Sequence, residues 1–177
     1  FVRVDEGEHL FTYVPRFATP AVTISIIINS SGIKTMLQDC IRAIQATTSW
    51  QDYEILVMDD ESDPTNIEIQ GITCWRAPVG SNLAIRNNLG AQHARGGVLL
   101  FLSDTSRPQA HDWLERLLEI ACLPDVASVA PQRLAPAGTL QYAGWIVANA
   151  QQAVPLYAGS PPSHPPGPFI SSVLTRN

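Results

Sequence analysis

The segment from Tyr53 to Ser62 constrains the fold more than any other part of the chain. Its residues Ile55 to Met58 form a short, continuous apolar run that stops at two adjacent carboxylates, Asp59 and Asp60. Such a run predicts a strand that is buried on both faces, as in a parallel sheet, and ligands of these sheets lie beyond the carboxyl ends of the strands. The two carboxylates suit the N–H of a base, ribose hydroxyls or a metal ion, or they cap the following turn.

Strand and helix patterns alternate along the rest of the chain. A β-branched strand over Val22–Ile28 is followed by apolar residues at helical spacing from Ile33 to Ile44. Strand, helix and strand together predict a right-handed βαβ unit. The alternation predicts an α/β fold with a mostly parallel central sheet and flanking helices. The other predicted elements are strands at 10–14, 72–76, 98–102, 126–130 and 139–147 and helices at 82–95 and 113–121.

Composition and charge restrict the class of protein. The 177 residues carry a net charge of −5 without a basic run, which argues against a nucleic-acid partner. The longest apolar stretch, Ala21–Ile28, is far shorter than a membrane span. Cys40, Cys74 and Cys122 are widely spaced among apolar residues and are expected to be buried free thiols in a reducing compartment. We expect an N-terminal arm over 1–20 and one domain over 21–177.

Polar residues follow three of the predicted strands, at 29–31, 59–60 and 103–105, and the pair Arg86-Asn87 lies near the start of a predicted helix. In a parallel sheet these strand ends meet at one edge, where a nucleotide is the natural ligand. The first of these turns, Asn29-Ser30-Ser31-Gly32, matches neither the dinucleotide-binding glycine pattern nor a P-loop. A nucleotide would therefore be bound by acidic turns and an arginine.

Several segments together resemble the nucleotide-binding half of family 2 glycosyltransferases, which have the GT-A (nucleotide-diphospho-sugar transferase, Rossmann-like) fold. The likeness is greatest to rhamnosyltransferase-like bacterial enzymes of cell-surface polysaccharide synthesis. The resembling segments are V-T-I-S-I-I-I at 22–28, Y-E-I-L-V-M-D-D-E-S at 53–62, A-I-R-N-N-L-G-A at 84–91, A-R-G-G-V-L-L-F-L at 94–102, D-W-L at 112–114, P-D-V-A-S-V-A-P at 124–131, A-G-T-L-Q-Y-A-G at 137–144 and T-R-N at 175–177.

The resemblance implies inverting transfer of a sugar from a nucleotide-diphosphate donor to a saccharide acceptor. It places Asp60 on the nucleotide base with Asp59 beside it, Ser30 near the base and ribose, and Arg86 near the diphosphate. Asp104 completes the implied nucleotide site. Asn87 is expected to have a structural role, and the resemblance identifies no catalytic residue in this chain.

The resemblance also implies a site for Mn²⁺ or Mg²⁺, on the triplet Ser103-Asp104-Thr105. In the alignment without gaps, Thr105 stands where the family has its most important aspartate, which leaves Asp104 as the one carboxylate. A hydroxyl is a poorer ligand than a carboxylate for a divalent ion. An alignment shifted by one residue instead restores Asp104 as the metal ligand.

A second hypothesis is a non-catalytic GT-A-like module that serves binding or assembly in polysaccharide biosynthesis. The degenerate metal triplet and the absence of an aromatic residue in the 29–31 turn favour it, whereas Asp60 and Arg86 favour the enzyme. In the family, the general base and the acceptor site follow the point that corresponds to Asn177. The chain is therefore expected to lack all or part of the acceptor half. We expect it to be cytoplasmic, including the inner face of the membrane. We further expect it to form a homodimer or to be part of a larger protein.

Overall fold

The computed structural model describes residues 2–5, 11–14, 21–59, 72–149 and 152–162. Its helices are α1 (Lys34–Thr47), α2 (Leu83–His93) and α3 (Trp113–Ala121). Its strands are β1 (Val2–Asp5), β2 (Phe11–Val14), β3 (Ile24–Asn29), β4 (Tyr53–Asp59), β5 (Ile72–Arg76), β6 (Val98–Ser103), β7 (Arg133–Leu134), β8 (Leu140–Tyr142), β9 (Trp145–Asn149) and β10 (Gln152–Pro155). The predicted elements up to residue 121 are confirmed, with ends that differ by at most three residues.

The main sheet has four parallel strands in the order β5-β4-β3-β6. Every residue of β3 and the centre of β4 are buried, as the apolar runs predicted for strands covered on both faces. β5 and β6 form the edges and are more exposed, so that Leu99 and Phe101 on β6 are 39% and 45% accessible. The predicted mostly parallel sheet is confirmed.

Helices α1 and α2 bury small or apolar residues on one side. α1 buries one stripe, consisting of Leu37, Cys40, Ile41 and Ile44, and leaves its other side exposed. α2 starts at Asn82, whose side-chain oxygen accepts a 2.9 Å hydrogen bond from the Ile85 N–H. α2 approaches β3 closely at Gly90, because a Cβ there would lie 2.5 Å from Cγ2 of Ile27.

The described residues belong to two compact units, one made of 19–116 and the other of 1–18 with 117–177. The first unit holds the parallel sheet. The second holds three antiparallel pairs, β1 with β2, β7 with β8, and β9 with β10. In the described part of the chain, no helix is both long enough and apolar enough to cross a membrane.

Two predicted strands in the second unit are wrong in detail. Residues 126–130 form no strand, because the chain turns there and the Val126 N–H donates to the Leu123 carbonyl at 3.1 Å. The predicted strand 139–147 is divided into β8 and β9 at Gly144, whose φ of 115° lies outside the extended region.

The expectation that all three cysteines are buried is also wrong. Cys40 is buried, but Cys74 and Cys122 are exposed, and all three are free thiols. Cys74 lies on the edge strand β5, and Cys122 follows the last turn of α3. The apolar neighbours of a cysteine in sequence do not show whether its strand lies at the centre or at the edge of a sheet.

Candidate functional site

The carboxyl ends of three parallel strands meet at one edge of the main sheet. Asn29, the last residue of β3, pairs with Met58 on β4 and with the last residue of β6. Neighbouring strands lie about 4.8 Å apart. Three of the predicted site residues, Ser30, Asp59 and Asp104, follow these paired positions directly and are therefore brought to the same edge.

Ser30 shapes the loop that leads from β3 into α1. Its side chain is buried, and its hydroxyl accepts a 3.0 Å hydrogen bond from the Gly32 N–H. Its own N–H donates to the Met58 carbonyl at 2.9 Å. Gly32 has a φ of 82°, a conformation that glycine adopts without strain. The loop is thus closed on itself before the first turn of α1.

Asp104 joins the end of β6 to this loop. One carboxylate oxygen, Oδ2, accepts hydrogen bonds from both the N–H and the hydroxyl of Ser31, each at 2.6 Å. The other, Oδ1, has a longer 3.4 Å contact with the Ser103 hydroxyl. Asp104 is only 1% exposed. Hydrogen bonds to a charged acceptor are stronger than neutral ones, so this is a firm connection between the two strand ends.

The turn after β6 is held by its own side chains and by an arginine. The hydroxyls of Ser103 and Thr105 are 2.9 Å apart and hydrogen bonded to each other. Arg107 donates to the carbonyls of Asp104 at 2.9 Å and Ser106 at 2.8 Å, and reaches the Met36 carbonyl on α1 at 3.2 Å. The guanidinium of Arg107 therefore fixes the main chain of this turn against α1.

Cys40 lies beside the same turn and is chemically quiet. Its Sγ is 3.8 Å from the Ser103 carbonyl oxygen. Burial raises the pKa of the Cys40 thiol to about 11; the Arg107 guanidinium opposes the rise and the Asp104 carboxylate adds to it. At neutral pH the residue is therefore a thiol and not the thiolate that would act as a nucleophile or metal ligand.

Arg86 reaches the edge from the first turns of α2. Its NH1 donates a 2.8 Å hydrogen bond to the Ser30 carbonyl, which fixes the half-buried guanidinium beside the β3 loop. The next residue, Asn87, accepts a 2.7 Å hydrogen bond at Oδ1 from Nδ2 of Asn29. The structural role predicted for Asn87 is confirmed, since it ties α2 to the end of β3.

Asn29 belongs to the polar group predicted at 29–31, although it is not among the residues individually assigned to the nucleotide. It is 7% exposed, and its Oδ1 has no hydrogen-bond partner among the described residues. Burying an amide oxygen without a donor costs free energy, so such an atom indicates a missing partner such as water or a ligand. The signal in the sequence is an asparagine that directly follows three consecutive isoleucines, Ile26–Ile28.

Of the two predicted carboxylates at the end of β4, the structure describes Asp59, the last residue of the strand. Asp59 is half-buried, and its carbonyl accepts a 2.8 Å hydrogen bond from the Ala77 N–H after the neighbouring strand. Arg76, the last residue of β5, pairs with Asp59 across the sheet and adds a cation to this edge. Asp60, the residue predicted to contact the base, lies outside the described residues.

The described residues do not fit a divalent ion. Among them, no three His, Cys, Asp or Glu side chains are grouped so that they could hold a metal. At the predicted triplet, the two outer residues offer neutral hydroxyls, and the Asp104 carboxylate is buried against Ser31. Mg²⁺ and Ca²⁺ favour several oxygen ligands at about 2.0–2.6 Å, usually including accessible carboxylates.

Comparison with known proteins identifies the relatives of this chain. A family model described as glycosyl transferase family 2 matches residues 24–147. The chain is 28% identical over 176 residues to the O-antigen biosynthesis protein RfbC of Myxococcus xanthus, covering 92% of this chain and 13% of that protein. It is 26% identical over 142 residues to the uncharacterized protein y4gI of Sinorhizobium fredii, with 75% and 15% covered. The chain thus spans less than a sixth of these relatives.

A solved structure is similar in fold. The mannosyltransferase PcManGT from Pyrobaculum calidifontis, in complex with GDP-Man and Mn²⁺, matches with a TM-score of 0.56 at 15% identity. The match covers 64% of this chain and 36% of the neighbour's chain. At this level of identity the likeness concerns the fold, and it confirms the predicted GT-A architecture.

Proposed function

This chain belongs to glycosyl transferase family 2, and on that premise we propose that it binds a nucleoside-diphosphate sugar and presents it for transfer to a saccharide acceptor. The binding site is the carboxyl edge of the β5-β4-β3-β6 sheet. The observation that carries the proposal is that one loop, at Ser30, contacts both the end of β4 and the Arg86 guanidinium. A nucleotide that lies along this loop would contact both the carboxylates at the end of β4 and the Arg86 guanidinium.

The parts of the donor fit different parts of this edge. The nucleoside lies over the ends of β3 and β4, where Asp59 and Asp60 accept from base N–H or ribose hydroxyl groups. The diphosphate lies toward Arg86, whose planar guanidinium donates to phosphate oxygens. Ser30 acts mainly by shaping the loop, since its hydroxyl already accepts from Gly32.

The reaction proposed is inverting transfer. An acceptor hydroxyl attacks the anomeric carbon in line, the bond to the diphosphate breaks, and a general base takes the hydroxyl proton. Arg86 stabilises the negative charge that develops on the departing nucleoside diphosphate. The named relative acts in O-antigen biosynthesis, which favours a growing cell-surface polysaccharide as acceptor. The neighbour's GDP-Man makes a GDP-sugar the first donor to test.

The first experiment measures binding of the donor. Calorimetry with UDP-, GDP-, dTDP- and CDP-sugars should give saturable binding for one nucleotide class. In the protein with Asp60→Asn, the affinity should fall about 10- to 100-fold, because a charge-assisted acceptor is lost. Asp39→Asn changes an exposed carboxylate on α1 and is the matched control. Absence of binding by the folded wild-type chain rules the proposal out.

The second experiment tests the arginine. Arg86→Lys keeps the charge but loses the planar fork, and it should weaken nucleoside-diphosphate binding more than nucleoside binding. Arg42→Lys changes an arginine that pairs with Asp39 on the surface of α1 and should leave both affinities unchanged. Equal effects of Arg86→Lys on nucleoside and nucleoside diphosphate would show that Arg86 serves the loop alone.

A binding-only module is the second candidate, favoured by the poor fit of the described residues to a divalent ion. The two candidates differ in turnover. Given the bound donor and polysaccharide acceptors, the protein should release nucleoside diphosphate at a rate that depends on Asp60. Donor binding without acceptor-dependent release would favour the binding module.

A further inference from the structure

We propose that Asp104 is a positioning residue that locks the loop from Ser30 to Gly32, and that the site takes its donor without a divalent ion on Asp104. This inference rests on the proposed function. It assigns the one carboxylate of the predicted metal triplet to a different task, that of holding the β3 loop in the shape in which Arg86 contacts it.

The position of the lock follows from the topology. The chain passes from β3 through α1 to β4 on one side of β3, and later from β5 through α2 to β6 on the other side. The strand order therefore changes direction between β3 and β6, the place where ligands of open α/β sheets enter. At this place the Ser31 N–H and hydroxyl both donate to Oδ2 of Asp104 at 2.6 Å.

The geometry of Asp104 opposes a second role as a metal ligand. The residue is 1% exposed and its Oδ2 is held by Ser31, so an ion can bind that oxygen only if the side chain leaves Ser31. That movement would strip the Ser31 N–H and hydroxyl of their acceptor. The neighbouring hydroxyls of Ser103 and Thr105 bond to each other at 2.9 Å and bring no negative charge that would favour the movement.

The lock is connected to the cation of the site through the main chain. Ser31 follows Ser30 directly, and the Ser30 carbonyl accepts from NH1 of Arg86 at 2.8 Å. Asp104 therefore fixes the loop that fixes Arg86. On the other side of Asp104, its own carbonyl accepts from Arg107, which holds the turn in place. Removing the Asp104 charge should loosen the loop and lower donor affinity through Arg86.

The lock itself is tested by urea unfolding without nucleotide. Asp104→Asn and Ser31→Ala should each lower the folding equilibrium constant, by about 10-fold where a charged hydrogen bond is lost. The double variant should lose little more than Asp104→Asn alone, because Ser31→Ala removes only one of the two hydrogen bonds that Oδ2 of Asp104 accepts from Ser31. As control, Asp104→Asn combined with Thr23→Ala, whose hydroxyl bonds Asp52 elsewhere, should multiply. Effects that multiply for Ser31 and Asp104 overturn the lock.

The claim that the donor binds without a divalent ion on Asp104 is tested by calorimetry. UDP, GDP, dTDP and CDP are each titrated in the presence of EDTA, Mg²⁺ or Mn²⁺. The wild-type dissociation constant for the nucleotide that binds should change by less than about threefold between conditions, well under the tenfold of one good contact. Thr105→Asp adds an exposed carboxylate and should introduce a gain with Mn²⁺. A tenfold gain with Mn²⁺ in the wild type that Asp104→Asn abolishes would make Asp104 a ligand and overturn the proposal.

A last measurement separates positioning from general stability. In EDTA, Asp104→Asn should weaken nucleotide binding in the wild type but not in an Arg86→Ala background, because its effect passes through Arg86. Equal weakening in both backgrounds contradicts this route. If none of the four nucleotides binds in any condition, the proposed function is wrong, and so is the claim that the donor binds without a divalent ion on Asp104. The unfolding measurements still decide whether Asp104 holds the loop from Ser30 to Gly32.

Discussion

Ser25 on β3 donates a hydrogen bond to Glu54 on the neighbouring strand β4, with 2.7 Å between Oγ and Oε1. The same serine hydroxyl accepts from the Gly96 N–H at 2.8 Å. Glu54 also accepts from the Arg95 main-chain N–H at 2.7 Å and from its guanidinium at 2.9 Å. One carboxylate thus joins two strands of the sheet to the connection between α2 and β6.

Removing the Ser25 hydroxyl should destabilise the chain. Ser25 is fully buried, and Ser25→Ala leaves the Gly96 N–H without its acceptor and Glu54 without one donor. The expected loss is about 1–3 kcal/mol in the free energy of unfolding, measured in urea. Thr23→Ala removes a hydroxyl that bonds an exposed carboxylate, Asp52, and should cost within about 0.5 kcal/mol. Equal costs would show that the network adds nothing.

The Glu54 network should make stability depend on pH in the acid range. Burial tends to raise the pKa of Glu54, but hydrogen bonds from Ser25 and Arg95 outweigh it and hold the pKa below its ordinary value of 4.5. The unfolded chain therefore binds the proton more readily than the folded one. The stabilisation is present above pH 4.5 and is lost as the pH falls through the lowered folded pKa.

The check is a comparison with Glu54→Gln. The free energies of unfolding of the wild type and the variant, measured in urea, should differ most at pH 7. The difference should shrink below pH 4.5 as Glu54 is protonated. A difference that stays constant from pH 7 to acid would assign the effect of the variant to packing. Asp39→Asn, which changes an exposed surface pair, serves as the reference.

Two adjacent glycines should differ in their tolerance of a methyl group. A Cβ on Gly96 would lie 2.6 Å from the Thr23 carbonyl and 2.7 Å from the Ser25 nitrogen, both main-chain atoms. A Cβ on Gly97 would meet only a side-chain methyl of Val22, at 2.9 Å. Gly96→Ala should therefore cost about 1–3 kcal/mol by thermal or urea unfolding, and Gly97→Ala clearly less. A larger loss of stability for Gly97→Ala than for Gly96→Ala would contradict the close contact of Gly96 with the main chain of β3.

The cysteines should react in the order of their exposure. Cys74 and Cys122 are exposed, whereas Cys40 is buried and has a pKa of about 11. Iodoacetamide at pH 8 should label the first two in the folded protein and Cys40 only in urea, as seen by peptide mass spectrometry. Burial, with a contribution from Asp59, also raises the pKa of Cys74, so its labelling should rise further at higher pH. Early labelling of Cys40 would mean that the β6 turn opens.

Local patterns were enough to predict the parallel sheet and its helices. The runs that became β3 and β4 each contain at least three consecutive large apolar residues, which is typical of a strand buried on both faces. Edge and centre could not be told apart in this way, since β6 has a similar apolar run but is only partly buried. The 126–130 error has the same origin, because a strand needs a partner that its own residues do not specify.

The candidate site was predictable in place but not in contacts. Turn residues after parallel strands had to meet at one edge, which was enough to place Ser30, Asp59 and Asp104 there. The direction in which each side chain points depends on the alignment of β3 with β6. In the structure, Asp104 accepts hydrogen bonds from Ser31. Nothing in the sequence favoured Ser31 over Ser30 as the partner.

Because α2 lies so close to β3, packing in the hydrophobic core affects the position of Arg86 in the candidate site. Gly90 lies one helical turn, about 6 Å, from Arg86 on the same helix, and its missing side chain lets α2 rest on Ile27. A bulkier residue at either contact position would lift the helix and carry the guanidinium away from the Ser30 carbonyl. Under the proposed function, substitutions at these two positions would therefore change the affinity for a nucleoside diphosphate without contacting it.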